Sequence, residues 1–514
     1  MRISTRRLCQ RSIMSLVAVA TLGASAADVR LIQAVKDGDA TAVRELLEQD
    51  TDVNARQGDG ATALHWAAYR DDLDTAALLI QAGAVVNATN DLGVTPLWVA
   101  AMTGSPAMIA KLLEARGNPN LAPATGGTPL MIASRQGNVA AVTSLLAHGA
   151  DANTKEDAQG QTALMWAVAQ RHPDAVQVLL DAGTDLHART KSSRRHVLLC
   201  CQRGLGDSDG ATWVEQGGFT PLHFAARHGD AASARLLLAA GATVDDTAAV
   251  GTTALVVAAQ QGDSAVAAVL LENGADPDAA GAGQAALHWA ALRADRELVK
   301  TLLAHGANPN VPLTRGSPLK GDRGARSGVA FDKLLIGATP FSLAARRSDV
   351  EIMRLLAAGG ADTSLSLKDG RTAAMVAAEG EPTGIRRLRL EEDQILETVK
   401  VALDLGVDVN AVNQAGDSAL HVAAVNKFDS VIRLLAERGA RLDARNKKGQ
   451  TPLAAALAPP LTPWGTVGVD QAARGRALGG AALSRYRERY AAWEASQGQT
   501  STADLLRSLG ATEE

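Results

Sequence analysis

"GGFTPLHFAARHGDAASARLLLAAGATVDD", residues 217–246, contains two short helical patterns joined by a turn and closed by a glycine. Thr220 is a residue type that caps a helix start, and Pro221 occupies the first-turn site whose N–H has no partner in any case. Leu222 and the Ala225–Ala226 pair put small apolar side chains at helical spacing. Gly229–Asp230 makes a tight turn, a leucine run gives the second helix its apolar face, and Gly241 can take the left-handed closure that other residues avoid. A helix pair this short cannot bury its apolar face alone, so neighbours must stack on it.

The neighbours are there. "TALHWAAYRDD" (62–72), "TPLWVAAMTGS" (95–105) and "AALHWAALRAD" (285–295) repeat the first half, each followed by a second-helix "LL" and a terminal "GA" or a close variant. The threonine slot falls at Thr62, Thr95, Thr128, Thr162, Thr220, Thr253, Ala285, Thr339, Thr372, Ser418 and Thr451. The gaps are 33, 33, 34, 58, 33, 32, 54, 33, 46 and 33 residues, so three of them carry insertions and the rest share one period. Scarce aromatics, 3% of the chain, also fit thin repeated layers better than one large mixed core.

Period, "TPLH", the second-helix leucines and the closing "GA" resemble the ankyrin-repeat family, and the N-terminus points to an exported bacterial member. The resemblance implies an all-α ankyrin-repeat solenoid of about twelve helix-turn-helix units, with two finger insertions and an interrupted C-terminal unit. The expected organisation is a signal peptide at 1–26, an N-terminal capping repeat at 27–57 and repeats at 58–190. A finger insertion at 191–216, repeats at 217–310 and a second finger insertion at 311–336 follow. Repeats continue over 337–448 with an inter-helix insertion at 381–393, and 449–514 is the interrupted C-terminal capping repeat. Alanine replaces the motif proline at Ala63, Ala163, Ala254, Ala286 and Ala419, and Ala374 stands where the leucine belongs.

Arg2, Arg6, Arg7 and Arg11 precede an apolar run from Ile13 to Ala24, and "ASA" ends at Ala26. That is the three-part layout of a secretory signal with cleavage after Ala26, and it places the mature chain in the periplasm or the secreted space. Without the signal, 47 basic residues face 55 acidic ones, a net charge near −8 that gives no footing for nucleic acid. No later apolar stretch is long enough for a membrane helix, so membrane insertion is not expected.

Enzymatic chemistry is hard to place. "HVLLCC" (196–201) offers three metal donors, but adjacent cysteines do not point easily at one ion and structural zinc sites use spaced pairs. His196 has no partner in sequence that would make Cys200 or Cys201 a catalytic nucleophile. Two readings of the pair stay open, a vicinal disulfide between Cys200 and Cys201 or two thiols without a role. "GLGDSDG" (204–210) fails as a calcium loop, because Leu205 and Gln216 fall where acids are required. His65, His223, His288 and His421 occupy the "TPLH" slot, where the family uses histidine for hydrogen bonds between repeats. His148 and His305 end second helices, favourable beside the negative helix end. No cofactor, no metal and no catalytic residue is expected.

In the family, the two positions after the alanine pair face the concave groove. Here that rule selects Tyr69, Arg70, Met102, Arg135, Gln136, Arg227, His228, Arg293, Arg346 and Arg347 as candidate protein-binding residues. Arginine recurs there, and a guanidinium fork matches a carboxylate while Tyr and Trp serve as anchors. A solvated face of common ankyrin residues accounts for the same pattern, and inter-repeat packing accounts for Trp66, Trp98, Trp166 and Trp289. The expected function is a monomeric, non-catalytic protein–protein interaction scaffold. The alternatives are a host-directed effector and a redox or enzymatic protein built on the inserted loops.

Overall fold

The structure is a computed structural model that describes residues 28–124, 126–198, 211–315, 317–319, 330–332, 335–379, 392–457 and 501–512. The signal segment 1–26, Cys200 and Cys201, and almost all of the 381–393 insertion lie outside the described residues. The chain divides into two compact units. The first contains Met1–Lys191 and Thr220–Ala242, the second Ser192–Phe219 and Thr243–Glu514.

Among the described residues of the first unit, six antiparallel helix pairs follow one another. They begin with Asp28–Asp37 and Ala40–Glu48 and end with Pro221–His228 and Ala231–Ala239. The threonine slot acts as expected: Thr95, Thr128 and Thr162 have extended backbones and accept from the N–H three residues on. The acid or amide after the turn glycine has a second role, because it caps the second helix. Asp39 accepts from the N–H of Ala42 at 2.9 Å, and Asn138 and Asp230 repeat the bond at their own helix starts. Between the pairs, Leu64, Leu97, Leu130 and Leu164 of the first helices and Leu79, Leu112, Leu145 and Leu179 of the second are fully buried. Each contributes about 1.5–3 kcal/mol of burial, and only the stacked neighbour makes that burial possible.

Stacking also uses polar stitches at one-repeat intervals. Asn54 accepts from Val85 N at 2.7 Å and donates to Gly83 O at 3.2 Å, and Asn87 and Asn120 do the same one and two repeats later. His65 Nδ1 accepts from Thr62 N at 3.1 Å, while Nε2 donates to Val94 O of the next repeat at 2.9 Å. That pair of partners fixes the Nε2–H tautomer.

The second unit repeats the architecture, from Ala254–Gln261 with Ser264–Glu272 to Pro452–Leu457, which packs with Ser501–Ser508. His421 reproduces the stitch, reaching Gln450 O at 3.1 Å. His288 does not: Ala285 offers only its backbone N–H to Nδ1, at 3.0 Å, and Nε2 is buried with no hydrogen bond of normal geometry. At the helix turns, Ala294 (φ 57°) and Ser348 (φ 53°) hold the left-handed conformation without glycine, a strain of about 1 kcal/mol each.

The helical class stands, with a minor β component that the repeat pattern did not disclose. Ser193–Leu198 pairs antiparallel with Ala211–Gln216, and Ser317–Leu319 pairs antiparallel with Ala330–Asp332. Both ladders fall inside the segments read as finger insertions. In the second, reciprocal bonds between Leu313 and the Gly337–Ala338 segment, each 2.8 Å, close the base of the insertion.

Candidate protein-binding face

The residues after each alanine pair lie at the C-terminal end of a first helix, where the last carbonyls lack intrahelical partners. The next repeat supplies those partners. Arg70 Nη1 donates to Lys36 O at 2.8 Å, Gln136 Nε2 to Met102 O at 2.7 Å, and in the second unit Arg293 Nη1 to Gln260 O at 3.2 Å. These three exposed side chains therefore hold repeats together with part of their polar surface and leave the rest to solvent. The same side chains cover the preceding turn glycines. At Gly104 (φ 80°), a Cβ would stand 2.8 Å from Gln136 Oε1.

Cations and aromatic rings pair across repeats in the first unit. The Lys36 ammonium sits 4.5 Å from the Trp66 ring centroid, and the Arg135 guanidinium 5.7 Å from that of Trp166. Such contacts are worth about 0.5–1 kcal/mol at exposed sites. Tyr69 meets Trp66 edge-on, with centroids 5.8 Å apart and planes at 77°. Trp98, which replaces histidine in its slot, takes over the stitch through Nε1 to Gly127 O at 2.9 Å. The indole Nε1 atoms of Trp66 and Trp166 are out of solvent and have no partner.

Burial sets the electrostatics. Desolvation lowers the Lys36 pKa, and Asp59 and Asp37 offset part of that. His228 stacks on Phe224, with ring centroids 6.1 Å apart and an interplanar angle of 12°. Burial first, then the charges of Arg227 and Arg171, lower its pKa. In the second unit, Arg346 and Arg347 are half-buried. Close by, Arg371 bridges Asp369 at 2.7 Å and Glu379 at 2.6 Å. Burial raises the Glu379 pKa, and the charges of Arg371 and Arg346 oppose that rise.

The structure thus brings Tyr69 to Trp66, Arg70 to Lys36, Gln136 to Met102, Arg135 to Trp166, and His228 to the charge of Arg171. Arg293, Arg346 and Arg347 belong to the second unit. Lys36 and Arg171 escaped the sequence reading. Lys36 sits in a unit without "TPLH", but "VKDGD" (35–39) aligned on "SRQGN" (134–138) puts it level with Arg135. Arg171 lies one residue beyond the selected pair. Among the described residues, no group of three or more His, Cys, Asp or Glu could hold a metal ion, and no helix is long and apolar enough to cross a membrane.

A family model described as ankyrin repeats in three copies matches residues 31–123, 115–190, 196–281, 222–312 and 390–458. Ankyrin repeat and KH domain-containing protein 1 of Homo sapiens is 36% identical over 116 residues, 22% of this chain and 4% of that protein. A transient receptor potential cation channel subfamily A member 1 homolog of Caenorhabditis elegans is 34% identical over 119 residues, 23% of this chain and 9% of the channel. The chain therefore spans under a tenth of the length of these two relatives. The crystal structure of the human ASB11 ankyrin repeat domain aligns with 48% of this chain and 98% of its own, at 26% identity and a TM-score of 0.39.

Proposed function

Because the chain belongs to the ankyrin-repeat family, whose repeats generally mediate protein–protein interaction, we propose that it is a non-catalytic binding scaffold. It works as a monomer in the periplasm or secreted space and holds a protein partner through its first-helix face and its finger insertions. The observation that carries this reading is the row of cations and half-buried aromatics at first-helix ends, above all Lys36 with Trp66 and Arg135 with Trp166. Aromatic and arginine side chains of this kind dominate binding energy in protein interfaces. Localisation rests on the residue pattern of 1–26, with its basic start, apolar run and small-residue end.

Affinity purification from intact envelope, read by mass spectrometry, tests the reading. The wild-type chain is compared with Arg227→Glu and Arg293→Glu combined. Partner capture should fall in the variant and weaken with salt in the wild type. Unchanged capture moves the binding surface to the segments 191–216 and 311–336. Intact mass of the exported protein should match a start at or near Ala27, and retention of Met1 would remove the export reading.

A further inference from the structure

Charge is unevenly distributed in the first unit. Over residues 28–191 and 220–242, Asp and Glu outnumber Lys and Arg by twenty to fourteen. The first-helix ends reverse that balance, with Lys36, Arg70, Arg135, Arg171 and Arg227 against Asp37 and Asp71 alone. Several of the acids are committed elsewhere: Asp39, Asp72 and Asp230 cap second helices. Among the described residues, Lys36, Arg70, Arg135 and Arg171 form no ion pair. An acidic unit that gathers five cations against two acids along its first-helix ends is complementary to negative charge there.

The two tryptophans add an independent sign. Trp66 and Trp166 occupy equivalent positions in their repeats, and both indole N–H groups are shielded from water without an acceptor. Buried donors are nearly always paired in folded proteins, and an unpaired one costs about 1–3 kcal/mol. Each lies beside a cation from the preceding repeat, Lys36 or Arg135. A carboxylate docked at either place would meet a cation held against an indole ring.

Resting on the scaffold reading above, we infer that this edge binds an extended acidic segment of a partner protein, with carboxylates recurring at every third residue. The spacing follows from geometry. Stacked helices lie about 8–10 Å apart, and an extended chain in the polyproline-II conformation has three residues per turn and rises about 3.1 Å per residue, so every third side chain returns to the same face about 9 Å on. A nucleic acid is the weaker fit, because its affinity rests on phosphate neutralisation over a long track and this unit is acidic as a whole.

The test titrates the full chain against a labelled peptide of repeated Glu-Thr-Val triplets, read by anisotropy and by indole fluorescence. Controls are a peptide of the same composition with its glutamates in one block, a Lys-Thr-Val peptide, and oligo(dT). The spaced acidic peptide should bind best, and Lys36→Glu with Arg135→Glu should weaken it about tenfold or more. Trp66→Phe with Trp166→Phe replaces each indole by a smaller ring that holds the neighbouring cation less well, and should weaken binding about threefold. Equal binding of the blocked peptide, tighter binding of oligo(dT), or an unchanged affinity in the charge variant would overturn the inference. If every peptide fails while the envelope partner is still captured, the acidic segment is wrong and the scaffold reading stands.

Discussion

Ala285 breaks the cap that its counterparts keep, and restoring the hydroxyl should stabilise the second unit. At Thr62, Thr220 and Ser418 the side-chain oxygen lies 2.9, 2.8 and 2.9 Å from Nδ1 of the histidine three residues on. At Ala285 that contact is missing, and Nδ1 of the fully buried His288 accepts only from the backbone N–H, at 3.0 Å. Threonine in place of alanine at a helix start is worth about 1 kcal/mol, within a range of 0.5–2. Ala285 already holds the extended backbone that threonine prefers, with φ −85° and ψ 166°, so Ala285→Thr should need no backbone change. Global melting is a poor readout for a chain of two units, where two-state behaviour is not assured. Native-state hydrogen exchange of helix Ala286–Leu292 is better, and 1 kcal/mol corresponds to about fivefold slower exchange there. Thr62→Ala is the mirror experiment and should speed exchange in Ala63–Arg70 by a similar factor. Unchanged or faster exchange in Ala285→Thr would refute the claim that the hydroxyl–imidazole contact stabilises these helices.

Burial drives the His288 pKa down to about 4 from an ordinary 6.5. The unfolded chain then binds this proton more tightly than the folded one, so stability is complete above about pH 6.5 and falls as pH drops toward 4. The loss is about 3 kcal/mol, and hydrogen exchange of helix Ala286–Leu292 at both ends of that window, corrected for intrinsic rates, should show it in the wild type and not in His288→Gln. Arg371→Ala strands the half-buried Glu379 carboxylate and should cost about 3–5 kcal/mol, read as faster hydrogen exchange in helix Ala373–Glu379, with Glu379→Gln recovering part of the loss. Arg70→Ala removes the exposed bond to Lys36 O and should cost about 0.5–1 kcal/mol, read as faster exchange in Asp28–Asp37.

The repeat was legible because it is encoded locally. A capping Thr, a following Pro or Ala and paired alanines dictate the first helix wherever they occur, and the 33-residue spacing dictates stacking. The tips of the two insertions carry no such spacing, and their strand pairs Ser193–Leu198 with Ala211–Gln216 and Ser317–Leu319 with Ala330–Asp332 went unread. At the candidate face, register picked out Arg70, Arg135 and Arg293, but not that Arg70 and Arg293 each bond a carbonyl of the preceding repeat. Those bonds join residues 33 and 34 apart, so only the stacked structure discloses them. Lys36 was missed for the opposite reason: its repeat lacks the motif that sets the register.

Contact at the first-helix face is the central claim, and site-specific photocrosslinking in cells of the native host tests it most directly. A photoreactive residue at Tyr69 or Met102, both half-buried at first-helix ends, should yield a discrete protein adduct. The same residue at Gln177, exposed on second helix Pro173–Asp181, should not. Adducts from Gln177 alone, or none from Tyr69 and Met102, would contradict the account.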